Sequence, residues 1–347
     1  MRADDVTGAF YVRSDSDHTT VISPHVRASK QSEGFSVDAA YSADVWTSAS
    51  VDIRASASVR PVTEQRDQLN IGVSQTWSDW SLTGSYRLSM EPDYLSNGGA
   101  FAFAHDFANN AARLSVGLSL FADRVGRSGN PGFQRGAASY ITNVSFTQII
   151  DPRMLVQLTY EPARVQGYQA SPYRFVGTGP NATGFGCRDA DECLAERVPR
   201  GRTRHALAAH VRRALCDDLS IGLTYRFYLD DWGLRSHTVL AELGVSLAQH
   251  SLLAVRYRFY RQNAAEFYRA RYEDLSATDL RTRDRELSPM QSQRLGLELE
   301  HRIHELEQGR TLTALLALGG NYYRYSDFVG LKSARALEVT AALLVGL

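Results

Sequence analysis

Residues 219–228 read Leu219-Ser220-Ile221-Gly222-Leu223-Thr224-Tyr225-Arg226-Phe227-Tyr228. Leu219, Ile221, Leu223, Tyr225 and Phe227 share one parity, and Ser220, Gly222, Thr224, Arg226 and Tyr228 share the other. Side chains on a strand alternate between faces, so one face is apolar and its opposite polar. The pattern recurs twice at once. Val239, Ala241, Leu243, Val245 and Leu247 alternate with Thr238, Glu242, Gly244 and Ser246, and Leu253, Val255, Tyr257 and Phe259 alternate with Arg256, Arg258 and Tyr260. Arginines behind a continuous apolar face fit a sheet with lipid on one side and water on the other, which is the pattern of a transmembrane β-barrel.

Working outward, the same alternation predicts sixteen strands. They cover Val6–Arg13, Thr19–Ser29, Phe35–Asp44, Gln68–Trp77, Trp80–Ser89, Gly98–Phe107, Ala112–Asp123 and Ala137–Ile149. The rest cover Met154–Arg164, Thr203–Ala214, Leu219–Leu229, His237–Ala248, Leu252–Gln262, Gln293–Ile303, Leu312–Tyr325 and Arg335–Leu347. Thr47–Val59 also alternates, as a strand extension or a hairpin. Connections after even-numbered strands are short, as at Ser78-Asp79 and Cys216–Asp218, and the longest of them is His304–Arg310. Those after odd-numbered strands are mostly long: Val45–Arg66, Arg124–Arg135, Val165–Arg202 and Asn263–Met290. Short turns on one rim and long loops on the other match an outer-membrane barrel with both termini periplasmic. An even strand count allows closure, which lipid demands because an unpaired backbone group there costs several kcal/mol. The expected fold class is all-β, a single antiparallel barrel domain over residues 1–347. The alternative is a large soluble β protein such as a sandwich or lectin.

Composition narrows the function classes. Basic and acidic residues balance at 38 each, which argues against nucleic-acid binding. No run approaches 18 apolar residues, so no transmembrane helix is expected. A mean hydropathy of −0.29 is compatible with a barrel, whose strands keep half their residues in a polar lumen. The chain starts Met-Arg-Ala-Asp-Asp without the apolar segment of a signal peptide, so a mature or renumbered chain is expected, with a cytoplasmic protein as the alternative. Cys187 and Cys193 sit in a polar loop and are expected to pair in an oxidising compartment, whereas Cys216 is expected to be a free thiol. No histidine accompanies the pair at zinc spacing, and no cofactor motif is present.

The polar face of the later strands carries Arg204, His210, Arg212, Arg226, Glu242, Arg256, Arg258, Arg294, Glu298, Glu300 and Arg302. These are the expected lumen-lining residues. They either guide anionic solutes or brace the wall as an Arg–Glu lattice, and incomplete pairing would allow both. Asp230, Asp231 and His237 near one loop, with Asp44 and Glu64 around another, offer a carboxylate–histidine group for acid–base or metal chemistry. Solvated or hydrogen-bonded loop anchors are the plainer account. No Gly-x-Ser-x-Gly, His-Glu-x-x-His or phosphate-loop motif accompanies them. Trp46, Trp77, Trp80, Trp232, Tyr257, Phe259, Tyr322, Tyr323 and Tyr325 fit aromatic belts at the membrane interfaces.

Several phrases add a resemblance. They include Asp44-Val45-Trp46-Thr47-Ser48-Ala49-Ser50, Glu64-Gln65-Arg66, Ser171-Pro172-Tyr173-Arg174-Phe175 and Arg202-Thr203-Arg204-His205-Ala206. The most specific are Tyr225 to Gly233, ending Asp230-Asp231-Trp232-Gly233, and Arg256 to Gln262, leading into Ala265-Glu266-Phe267-Tyr268. Together they resemble an uncharacterised family of bacterial outer-membrane barrels, known as a domain of unknown function. The family's serine- and aspartate-rich segment is replaced here by Asp279–Met290, rich in Arg and Asp. The resemblance implies an outer-membrane, porin-like barrel, with no catalytic residues to carry over. Members accompany small envelope lipoproteins and flavin-attaching proteins.

Three functions remain in view. The first is a porin-like passive channel of the bacterial outer membrane, in contact with lipid and lipopolysaccharide. The second is a structural or docking barrel that holds an envelope lipoprotein or electron-transfer partner. The third is an outer-membrane hydrolase. An open lumen favours the first; a lumen filled by side chains or a folded-in loop favours the second.

Overall fold

A computed structural model describes residues 4–48, 50, 62–180, 182, 187, 190–248, 250–305 and 311–346. Its barrel strands are β1 (Asp5–Asp15), β2 (Thr19–Ser32), β3 (Phe35–Ser48), β4 (Val62–Trp77), β5 (Trp80–Glu91), β6 (Tyr94–Phe107), β7 (Ala112–Val125), β8 (Arg135–Asp151) and β9 (Met154–Gly167). A small hairpin of β10 (Phe175–Thr178) and β11 (Glu192–Ala195) follows. The barrel resumes with β12 (Gly201–Cys216), β13 (Leu219–Asp230), β14 (Arg235–Ala248), β15 (Ser251–Gln262), β16 (Met290–Glu305), β17 (Thr311–Tyr325) and β18 (Ser333–Gly346). The sixteen strands pair antiparallel with their sequence neighbours, and β18 closes the ring onto β1, from Asp5↔Gly346 to Asp15↔Ala336. Closure leaves no unpaired edge, the condition for a sheet in hydrocarbon.

All sixteen expected strands are present, most a few residues longer than the alternation indicated. Beyond Thr47, Ser48 and Ser50, the alternating stretch to Val59 lies outside the described residues, as does Leu347. The pleat sorts the chain as the parity did. Leu223, Leu243, Leu297, Leu318 and Leu343 are exposed on the outer surface, while Thr224, Glu242 and Glu298, next to the first three, take the other face. On the inner face small polar pairs hold neighbouring strands together, as in Ser36 Oγ to Ser74 Oγ at 2.6 Å.

The tight turns show their local chemistry. Between β2 and β3, Glu33 and Gly34 both adopt positive φ, 41° and 82°, the two-residue hairpin turn that matches strand twist. A Cβ on Gly34 would lie 2.5 Å from the Thr76 carbonyl oxygen. On the short-turn rim, Trp77 and Trp80 are exposed, and Trp80 stacks on His105 at 3.8 Å, as an interfacial girdle requires.

Four of the expected belt aromatics lie elsewhere. Trp46 borders an inner cavity with Arg13, Arg66 and Glu91. Trp232 and Tyr325 are buried in an apolar cluster with Leu234, Ala265, Tyr268, Leu287, Phe328 and Ala334, and Tyr323 packs against it. The parity of positions 46, 323 and 325 is the inner one, and Trp232 sits in a turn. This cluster joins the connections 231–234, 263–289 and 326–332 on the long-loop rim.

Candidate functional site

The Asp-Asp-Trp-Gly phrase is the turn between β13 and β14. Asp230 Oδ2 accepts from Arg202 Nε and Nη2 at 2.8 and 2.6 Å and from Tyr228 Oη at 2.7 Å. Its Oδ1 accepts the backbone N–H groups of Trp232 and Leu234, each at 3.0 Å. The Asp230 side chain is 0 % exposed. A carboxylate taken out of water needs such partners. Asp231 accepts the Thr203 N–H at 2.9 Å, Trp232 donates its ring N–H to the Gly201 carbonyl at 2.9 Å, and Arg202 lies over the Trp232 ring. Gly233 has φ +80°, and a Cβ there would collide with Glu266. His237 stands apart, its Nδ1 2.7 Å from Tyr225 Oη on the outer face. Asp230 and Asp231 are thus loop anchors, and the carboxylate–histidine grouping is not assembled.

Asp44 pairs with Arg66, while Glu64 lies with Glu91 and Asp93 in a carboxylate group. Asp93 reaches beyond the wall. The Tyr173 hydroxyl bonds to it, and the Ser128 N–H meets the same hydroxyl at 2.6 Å. Burial and the Asp93 contact push the Tyr173 phenol up to about 12. The connection 168–200, which leaves from β9, is therefore tied to turns on β5–β6 and β7–β8.

The connection 263–289 is tied in the other direction. Arg285 Nη1 lies 2.8 Å from Asp17, in the β1–β2 turn. The two connections also lock together. Arg174 Nη1 reaches Glu196 and Asp284, each at 3.1 Å, and Glu196 also accepts from the Thr282 hydroxyl and the Ser171 N–H. Arg197 and Arg281 exchange backbone hydrogen bonds at 3.0 and 2.8 Å. Val176 and Thr282 are fully buried between the segments. Burial pushes the Glu196 carboxyl above its ordinary range, with Arg174 and the hydrogen bonds opposing the rise. The disulfide Cys187–Cys193 closes a small ring beside β11, which leads into Glu196. Cys216 is free and exposed at the end of β12.

Beneath these loops is a cavity of about 840 Å³. Its walls come from distant strands, with Tyr94 and Asp123 on one side and Arg204, Arg226, Tyr228 and Tyr260 on the other, under Arg174, Glu196 and Leu287. A space bounded this way lies inside the ring.

The charged residues of the later strands fall into groups. Arg256 donates to Glu242 at 3.0 Å and to Glu298 at 2.7 and 3.1 Å. Arg226 meets Glu161 at 3.3 Å. Arg294 meets Glu338 at 3.0 Å, and Arg13 approaches the same carboxylate at 3.8 Å. Gly296 and Gly319 make room for Arg294, since a Cβ on either would stand 3.0 Å from its guanidinium. Arg204 lies directly across from Asp230, whose carboxylate is already taken, and its Nε is buried without a partner, as is that of Arg258. His210 bonds Thr224 at 2.8 Å. Arg212, Glu300 and Arg302 are exposed nearer the short-turn rim.

Sequence reasoning missed Arg174, Glu196, Thr282, Asp284 and Arg285, which lie in stretches without period. The phrase Ser171 to Phe175 was the available signal, because it holds both Tyr173 and Arg174.

The model of the family described as protein of unknown function (DUF3570) matches residues 47–140 and 134–327. The chain belongs to this family. No curated protein matches it. A solved bacterial polysaccharide outer membrane secretin is similar at TM-score 0.54 and 8% identity, covering 100% of this chain and 98% of that one. CdiB from Acinetobacter baumannii is similar at TM-score 0.50 and 8% identity, covering 97% and 60%. OprD from Pseudomonas aeruginosa is similar at TM-score 0.46 and 9% identity, covering 100% and 94%. At these identities the likeness is one of fold, a closed β-barrel of the outer-membrane kind.

Proposed function

We propose that this protein is a passive channel of the bacterial outer membrane, with a mouth narrowed by the connections 168–200 and 263–289. The observation that carries the reading is the cavity of about 840 Å³ inside a closed sixteen-strand ring, bordered by Arg204 and Arg226. Barrels of this strand number leave an aqueous interior. Arg204, Arg212, Arg226, Glu242, Arg256, Arg258, Arg294, Glu298, Glu300 and Arg302 are assigned to the conduction wall. The Arg–Glu bonds hold side chains against that wall rather than across the lumen. Arg204 and Arg258, whose Nε atoms have no hydrogen-bond partner among the described residues, bias the interior toward small anions. Residues 1–347 act as one barrel domain without catalytic machinery or cofactor. Lipid and lipopolysaccharide surround it.

One observation favours a second reading. The two long connections are tied to each other and to turns on both flanks of the barrel, which suits a rigid docking face for an envelope lipoprotein or electron carrier. Conductance in a planar bilayer separates the two. A channel gives discrete steps, with reversal potentials displaced toward anions under a salt gradient. Removing residues 175–195 widens the steps if the hairpin narrows the mouth. A barrel without conductance, with or without that segment, overturns the channel reading in favour of docking.

A further inference from the structure

The outer surface carries a second feature, which rests on the membrane reading above. On the long-loop rim one register row runs across four strands as His237↔Arg261↔Gln291↔Arg324. Arg235 lies on the same face two residues along from His237. All three arginines are exposed. Among the described residues, none of their guanidiniums has a carboxylate within ion-pair distance. Two strand spacings separate Arg261 from Arg324, about 10 Å, so a single headgroup can touch both.

The row beneath it changes character. Tyr225↔Val239↔Phe259↔Gln293↔Tyr322 continues the same face toward the bilayer, followed by Tyr257 and Leu295. Cations above an aromatic row and an aliphatic field reproduce the order of a lipid: charged headgroup, interface, acyl chain. Among the described residues the short-turn rim has no such row; there Trp77, Trp80, Phe107, Ile150 and Leu247 are exposed.

We propose that Arg235, Arg261 and Arg324 form an outward-facing clamp for the phosphate headgroup of an anionic lipid in the leaflet at the long-loop rim. Guanidiniums hold phosphate oxygens through paired N–H donors, and burial in a lipid interface limits screening.

The test uses the full chain in a zwitterionic detergent, with bisphosphorylated lipid A as the probe and native mass spectrometry as the readout. Each arginine near an anionic headgroup is worth about fivefold in affinity, so R235Q/R261Q/R324Q should weaken binding about a hundredfold. R261Q alone should weaken it about fivefold, which keeps the test usable if the triple variant folds poorly. R213Q, on the outer face near the opposite rim, should change nothing. Dephosphorylated lipid A should bind as weakly to wild type as lipid A does to the triple variant. Equal binding by the triple variant, or by the dephosphorylated lipid, overturns the clamp. Inorganic phosphate that binds wild type as tightly as lipid A also overturns it, as a plain ion site. Insertion of wild type into phosphatidylcholine vesicles is scored separately, and its failure overturns the membrane reading instead.

Discussion

Replacing Asp230 by Asn or Ala is the sharpest perturbation of the long-loop rim. The Asp230 carboxylate is fully buried and accepts five hydrogen bonds, two of them from Arg202, which is itself only 14 % exposed. Alanine leaves a buried guanidinium without its counter-charge and two backbone N–H groups without acceptors. Breaking a buried ion pair by removing one partner costs about 3–5 kcal/mol. Asparagine keeps the shape and one acceptor oxygen but loses the charge, so it should recover only the turn N–H bonds, about 1 kcal/mol each. The loss should be local, because Trp232 and Leu234 belong to the apolar cluster that seats the 263–289 connection. Amide hydrogen exchange of the protein in lipid nanodiscs reads this directly. Segments 228–236 and 262–288 should exchange at least a hundredfold faster in D230A, with β3 to β6 unchanged. Unchanged exchange in 262–288 would refute the view that this carboxylate organises the rim.

Four further outcomes follow from the same structure. Leu297, 45 % exposed on the outer face, should tolerate no arginine: an outward charge near the midplane costs about 2–4 kcal/mol. E298Q, on the inner face, should be milder in urea titration in vesicles, and equal tolerance at both positions would break the assignment of faces. R256Q/R258Q removes two cations and releases Glu242 and Glu298 from Arg256, so reversal potentials should shift from anions toward cations; an open channel with unchanged selectivity would rule out the guiding role. Intact mass with and without reductant should differ by two hydrogens for Cys187–Cys193, and ready alkylation of both thiols in unreduced exported protein would count against the bond. Burial raises the Glu196 pKa, so docking of the loops takes up a proton. That contribution is complete below the ordinary carboxylate range and is lost as pH rises through the raised value. Exchange of residues 170–178, corrected for intrinsic rate, should therefore be faster at pH 8 than at pH 4.5, and E196Q should remove the difference.

The strands were legible because a sheet between lipid and water imposes a period of two on every segment. The outer apolar residues of β13 to β18 carry that period through the middle of each strand. The sorting of long and short connections was legible for a related reason, since only one rim carries long loops. The site was legible only in part. Arg226, Arg256 and Arg294 stood out by parity, and their neighbours Glu242 and Glu298 by position on adjacent strands. The tying of the long connections was hidden, because its bonds join residues far apart in the chain: Arg174 to Asp284 across 110 positions and Arg285 to Asp17 across 268. No local pattern encodes such pairs. Trp232 was misplaced for the same reason. An aromatic in a rim turn reads as a belt residue until Arg202 and the 263–289 segment are seen to bury it.

Two kinds of ion pair in this barrel make different arguments. Asp230–Arg202 is largely buried and multiply bonded, and it fixes a turn. The wall pairs are wetter: Arg256–Glu298 is 35 % and 28 % exposed, and Arg226–Glu161 43 % and 42 %. Pairs of that exposure are worth about 0–1 kcal/mol each, too little to matter beside a closed ring of backbone hydrogen bonds. Stability is therefore a weak reason for a wall to carry Arg226, Arg256, Arg258 and Arg294. Arg258 even stands directly across from Arg294, a like-charge pair that costs stability. A charged solute inside a narrow lumen, by contrast, feels these groups through little intervening water and beside low-dielectric walls, where each keeps much of its field. On the channel proposed above, an array that contributes little to folding would act chiefly on the potential of the interior.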